Sequence, residues 1–157
     1  MSLSRRGIIQ SSVSAPVWLP SVNLVSNGAP APYLVSNVSS GGYAWYAFDG
    51  SLSQGYVASM KPVLCFSAGS NKKFKGFKVY ADTSSVMPKT ITIVGSDAQN
   101  GIYSNIYIGW VLDLSSEQWH ELLYNSNVFY KWFRVTVDSL NGAASGGKLL
   151  ECKFLLE

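Results

Sequence analysis

Tyr43-Ala44-Trp45-Tyr46-Ala47-Phe48-Asp49-Gly50 is an aromatic run that stops at an acidic turn, and Ser51-Leu52-Ser53-Gln54-Gly55-Tyr56 carries the chain away from it. Asp-Gly is a strong turn signal, because Gly adopts positive φ freely and Asp bonds its own backbone. The stretch therefore reads as the end of a buried segment opening into a polar loop. Taken as alternating, it sets Ala44, Tyr46 and Phe48 on one face and Tyr43, Trp45 and Ala47 on the other.

Outward from this turn the chain is a series of short apolar alternations. Phe77-Lys78-Val79-Tyr80, Thr90-Ile91-Thr92-Ile93-Val94, Ile106-Tyr107-Ile108 and Phe133-Arg134-Val135-Thr136-Val137 have the period and the β-branched and aromatic content of strands. Asn27-Gly28, Gly41-Gly42, Asn100-Gly101, Asn141-Gly142 and Gly146-Gly147 punctuate them. Many short strands with Gly and Asn turns predict an all-β sandwich or barrel. Ser115 to Tyr124 alone invites a helical reading, since Trp119, Leu122 and Leu123 have nearly helical spacing; a single turn or an irregular strand fits as well. Residues 1–20 read as an extended arm, with Pro16 and Pro20 bracketing Val17-Trp18-Leu19, and residues 21–157 as one folded domain.

Only 13% of the 157 residues are charged against 47% hydrophobic, so the surface must be built largely from Ser, Asn, Gly and Tyr. Such a surface suits neutral polar ligands or burial against other subunits. A net charge of +3 and an isoelectric point near 8.8 are too mild to point to nucleic acid. Lys72, Lys73, Lys75 and Lys78 interleave with Phe74, Phe77 and Val79, which reads as a strand with its lysines on the wet face. Cys65 and Cys152 each sit in an apolar run without metal-ligand spacing; buried free thiols are expected, with one long-range disulfide as the open alternative. The segment after Arg5-Arg6 is too polar for a signal peptide, and no apolar run is long enough to insert in a membrane.

Several patterns then fall in one order. They are Ala47-Phe48-Asp49-Gly50, Val63-Leu64-Cys65-Phe66, Phe77-Lys78-Val79-Tyr80, Pro88-Lys89-Thr90-Ile91-Thr92-Ile93-Val94-Gly95-Ser96-Asp97, Trp132-Phe133-Arg134-Val135-Thr136-Val137 and Leu150-Glu151-Cys152-Lys153-Phe154. Over roughly residues 22–157 this order resembles the discoidin domain, or coagulation-factor 5/8 type C domain, and the related family 32 carbohydrate-binding modules. The resemblance implies an eight-stranded antiparallel jelly-roll β-sandwich of the galactose-binding-domain type, non-catalytic, with ligand-binding loops at one end. It also implies a structural calcium held by Asp49 and Glu151, with the Ala47 carbonyl nearby. The chain departs from the family at Ser51, where an acidic or amide residue is usual, near Gln54, where a Thr often contributes, and at Tyr56, where the family has Trp.

No nucleophile elbow, Cys/His pair or phosphate-cradling loop is present, and His120, between Trp119 and Glu121, reads as a surface loop histidine rather than a general base. The expectation is a non-catalytic interaction module needing no cofactor beyond that calcium. Carbohydrate would be met by Tyr43, Trp45, Trp119 and His120, and Arg5, Arg6 and Trp18 would dock the arm on neighbouring subunits. The setting that fits is a virion tail, collar or baseplate subunit, or a similar extracellular surface assembly, touching host glycan. A free-standing secreted lectin-like domain is the alternative.

Overall fold

A computed structural model of the chain describes residues 14–142 and 144–157; Arg5 and Arg6 lie outside them. The described residues form ten strands and a short 3-10 helix: β1 Val17–Leu19, β2 Leu34–Asn37, the helix Ala44–Phe48, β3 Tyr56–Ala58, β4 Val63–Ala81, β5 Pro88–Ser96, β6 Ser104–Val111, β7 Gln118–Leu123, β8 Phe129–Leu140, β9 Gly147–Leu149 and β10 Cys152–Leu156. All pairings between them are antiparallel.

The long strand β4 makes two layers from one chain. Its first half pairs with β2 and β8, and β8 continues to β5 and β6. Its second half pairs with β10 and β7, and β10 with β1. The strand changes layer at Ala68–Lys72, where the register with β8 breaks and Gly69 takes φ +86°, a conformation side chains resist. Both inner faces follow the period of two read from the sequence: Phe77 and Val79, Ile91 and Ile93, Val135 and Val137 are all buried. Phenylalanines from the two layers meet in the middle, Phe66 stacking on Phe154 at 4.9 Å and Phe133 lying 5.7 Å from Phe154. The architecture is the expected jelly-roll sandwich, with β3 and β9 as an added pair.

Three expectations change, and one reading left open is decided. The run after Tyr43 is not an alternating strand: the 3-10 helix has about three residues per turn, so Ala44, Ala47 and Phe48 are buried and the pairing of faces is lost. Ser115–Tyr124 yields strand β7, because β4 offers it a complete ladder from Gly76 to Ala81. The sandwich starts before residue 21, since Val17, Trp18 and Leu19 pair with Leu156, Leu155 and Phe154. Trp18 is thus part of a sheet. Ten strands, finally, stand in place of eight.

Candidate functional site

The 3-10 geometry that buries Ala44 and Ala47 carries Tyr43 and Tyr46 to the same outer side, three residues apart. Tyr43 is 63% exposed, its ring 6.0 Å from that of Tyr46 and inclined at 60°. Trp45 leans on Tyr46 at 4.2 Å. The group is fixed from below: the Gly42 N–H donates to the Val57 carbonyl at 2.8 Å and the Trp45 N–H to Asn27 Oδ1 at 3.2 Å.

Beside these rings opens a cleft of about 310 Å³ lined by Tyr46, Ser53, Gln54, Gly55, Val57 and Lys148. Lys148 donates from Nζ to the Ser53 carbonyl at 2.8 Å, and the Gln54 N–H is held by Ser51 Oγ at 2.9 Å, leaving the exposed Gln54 amide at the cleft. The Tyr46 ring, backed by Tyr43 and Trp45, with an amide and an ammonium beside it can stack the apolar face of a sugar and bond its hydroxyls. Lys148 escaped the sequence reading because it lies 95 residues from Ser53, and nothing local marks it.

The Asp49-Gly50 turn closes on Glu151. Glu151 is 2% exposed; its Oε2 accepts the Gly50 N–H at 2.9 Å, and its Oε1 has no partner. Burial pushes its carboxyl up to about 7, with Asp49 adding to the rise and the Gly50 N–H, Lys153 and Lys78 opposing it. Asp49 Oδ1 accepts the Ser51 N–H at 2.8 Å. An orphaned buried carboxylate oxygen next to a second carboxylate is the donor chemistry of a hard cation, so the residues fit the implied calcium. No cluster of three or more His, Cys, Asp and Glu side chains occurs among the described residues, and the remaining oxygens would have to be backbone carbonyls, Ala47 among the candidates.

Trp119 and His120 do not join the aromatic turn. They are neighbours on β7 and point to opposite faces. His120 is buried rather than in a surface loop, with Nε2 unpartnered; burial lowers its pKa against the pull of Asp113. Trp119 stays on the outer face, edge-on to Tyr80 at 5.6 Å. Both cysteines are buried free thiols. Cys65 lies under Arg134 Nε and the Tyr103 hydroxyl, each 3.4 Å from its sulfur. Among the described residues no helix is long and apolar enough to cross a membrane.

Among solved structures the fold is that of family 32 carbohydrate-binding modules. The module of C. perfringens NanJ in complex with galactose is 15% identical over 80% of this chain and 93% of its own, with a TM-score of 0.64. The module of AlyQ in complex with 4,5-unsaturated mannuronic acid is 14% identical over 77% and 92%, with a TM-score of 0.65. A pectin-binding carbohydrate-binding module is 10% identical over 76% and 87%, also at 0.65. By sequence, no family model matches the chain, and neither does any curated protein.

Proposed function

We propose that this protein is a non-catalytic carbohydrate-binding module that takes a saccharide at the cleft beside its aromatic turn. The observation that carries the reading is the aromatic cluster of Tyr43, Trp45 and Tyr46, of which Tyr46 lines a cleft together with Gln54 and Lys148. The rings supply a stacking surface, the amide and ammonium supply directional bonds, and the 3-10 helix and the β3–β9 pair hold both in place before ligand arrives. The similar structures support the class of ligand. Their own ligands differ from one another, so the sugar here is set by this cleft rather than by the fold.

Calcium belongs to this reading as a structural ion. Asp49 and Glu151 would hold it, and its charge would neutralise two carboxylates and tie the turn to the strand-end residue 151. Binding at the cleft would serve a free-standing secreted lectin-like module and a virion surface subunit alike. In the second setting the same cleft would meet host-surface carbohydrate.

A glycan array followed by titration calorimetry tests the proposal. Binding of a defined glycan is expected, with affinity falling at least tenfold in Tyr46→Ala. Absence of binding across the array, or an unchanged affinity in Tyr46→Ala, would overturn it. Mass photometry of the purified chain separates the two settings, a stable monomer favouring the free-standing module.

A further inference from the structure

The outer face of the β1-β10-β4-β7 layer carries a second arrangement of rings. Lys78 Nζ sits 4.6 Å from the ring centroid of Trp18 and 4.9 Å from that of Trp119. Tyr80 packs edge-on against Trp119 and donates its hydroxyl to Glu117 Oε1 at 3.0 Å. The alternation of the strands explains the placement. Phe77, Val79, His120, Leu122, Cys152 and Phe154 are turned inward and buried, so Lys78, Tyr80, Trp119, Glu121 and Lys153 share the opposite side.

Lys153, Lys78 and Glu121 stand directly opposite one another across three neighbouring strands. Two lysines facing each other across a ladder repel, and Glu121 is not within ion-pair distance of Lys78. The ammonium of Lys78 lies instead between two indoles. Trp119 remains 37% exposed and Trp18 half-buried on an open face.

We infer that this face is a second ligand site, a platform for a neutral polysaccharide chain lying across β10, β4 and β7. Indoles held by a shared cation are pre-organised to stack successive sugar units, on a sheet whose backbone is fixed by its ladders. Lys153 and Glu121 flank them with a donor and an acceptor for ring hydroxyls. The charges on the face, Lys78 and Lys153 against Glu117 and Glu121, cancel, so an acidic polymer gains no net attraction. Two rings on either side of a lysine on an open sheet suit a chain, whereas the cleft at the aromatic turn suits a single sugar or a chain end.

Affinity electrophoresis in gels containing galactomannan, xyloglucan or hydroxyethyl cellulose, with alginate as the acidic contrast, tests this. At least one neutral polymer is expected to retard the protein. That retardation should persist in Tyr43→Ala/Tyr46→Ala and weaken at least tenfold in Trp119→Ala. Should Trp119→Ala melt early, Lys153→Ala/Glu121→Ala, which alters only outward-facing side chains, gives the same reading. Retardation by none of the neutral polymers, stronger retardation by alginate, or binding unchanged by the face variants would overturn the inference. Loss confined to the Tyr43/Tyr46 variant would place the polymer at the cleft and overturn it too, while leaving the proposed function standing.

Discussion

The backbone N–H of Gly50 donates to Oε2 of Glu151 at 2.9 Å, joining positions 101 residues apart. This single bond ties the turn after the 3-10 helix to the residue immediately before the last strand. It leaves the second oxygen of a buried carboxylate without a partner.

That carboxylate makes stability depend on pH in a defined direction. An unfolded glutamate titrates at about 4.3, and burial in the fold raises Glu151 to about 7. The folded state therefore holds the proton more tightly, and its contribution, complete below the unfolded value, is lost as pH rises through the folded one. The difference is on the order of 3 kcal/mol. Urea midpoints measured in EDTA should fall for this protein between about pH 5 and pH 8 relative to Glu151→Gln. Calcium should restore the loss at the higher pH in the wild type but not in Asp49→Asn, and should leave the midpoint of Glu151→Gln unchanged. Parallel pH profiles for wild type and Glu151→Gln would refute the assignment.

Gly50→Ala should destabilise the fold by about 1–3 kcal/mol. The residue has φ +80°, and the Asn23 carboxamide fills the space a methyl group would need. Adding Asn23→Ala should recover the steric part and leave the backbone part, which a double-mutant cycle on denaturation midpoints separates.

Phe154 touches rings from every side of the core: Phe48, Phe66, Phe74, Phe77 and Phe133. Phe154→Ala should cost about 3–5 kcal/mol, whereas Phe154→Leu, keeping most of the volume, should cost less than about half as much. Equal costs would show that retained volume does not set the cost and would refute this cavity-based account.

Neither thiol should react with an aromatic disulfide reagent in the native protein, and both should react in denaturant. Cys152 is fully buried, and burial, with the Glu151 charge beside it, pushes its thiol well up. Cys65 is roofed by Tyr103 and Arg134, whose guanidinium lies 3.8 Å from the Tyr103 ring centroid. Rapid native labelling of either would contradict this packing.

The local pattern of residues determined a good deal on its own. The turn at Asp49-Gly50, the inner faces Phe77/Val79, Ile91/Ile93 and Val135/Val137 and the wet side of the lysine strand are each set within a few residues, because a strand's side chains alternate and Gly tolerates a turn. Tertiary structure decided what no local period encodes. Strand β7 formed where spacing left helix and strand open, because β4 supplied its ladder; the aromatic run became a 3-10 helix that seats Phe48 against Phe66, ring centroids 5.3 Å apart. Gly50 met Glu151, Lys148 reached Ser53, and Trp18 and Trp119 came to flank Lys78 only through the register of strands distant in the chain. Each of these meetings needs several long loops closed at once, and their closure is favoured by burial of the shared phenylalanine core rather than by the residues that meet.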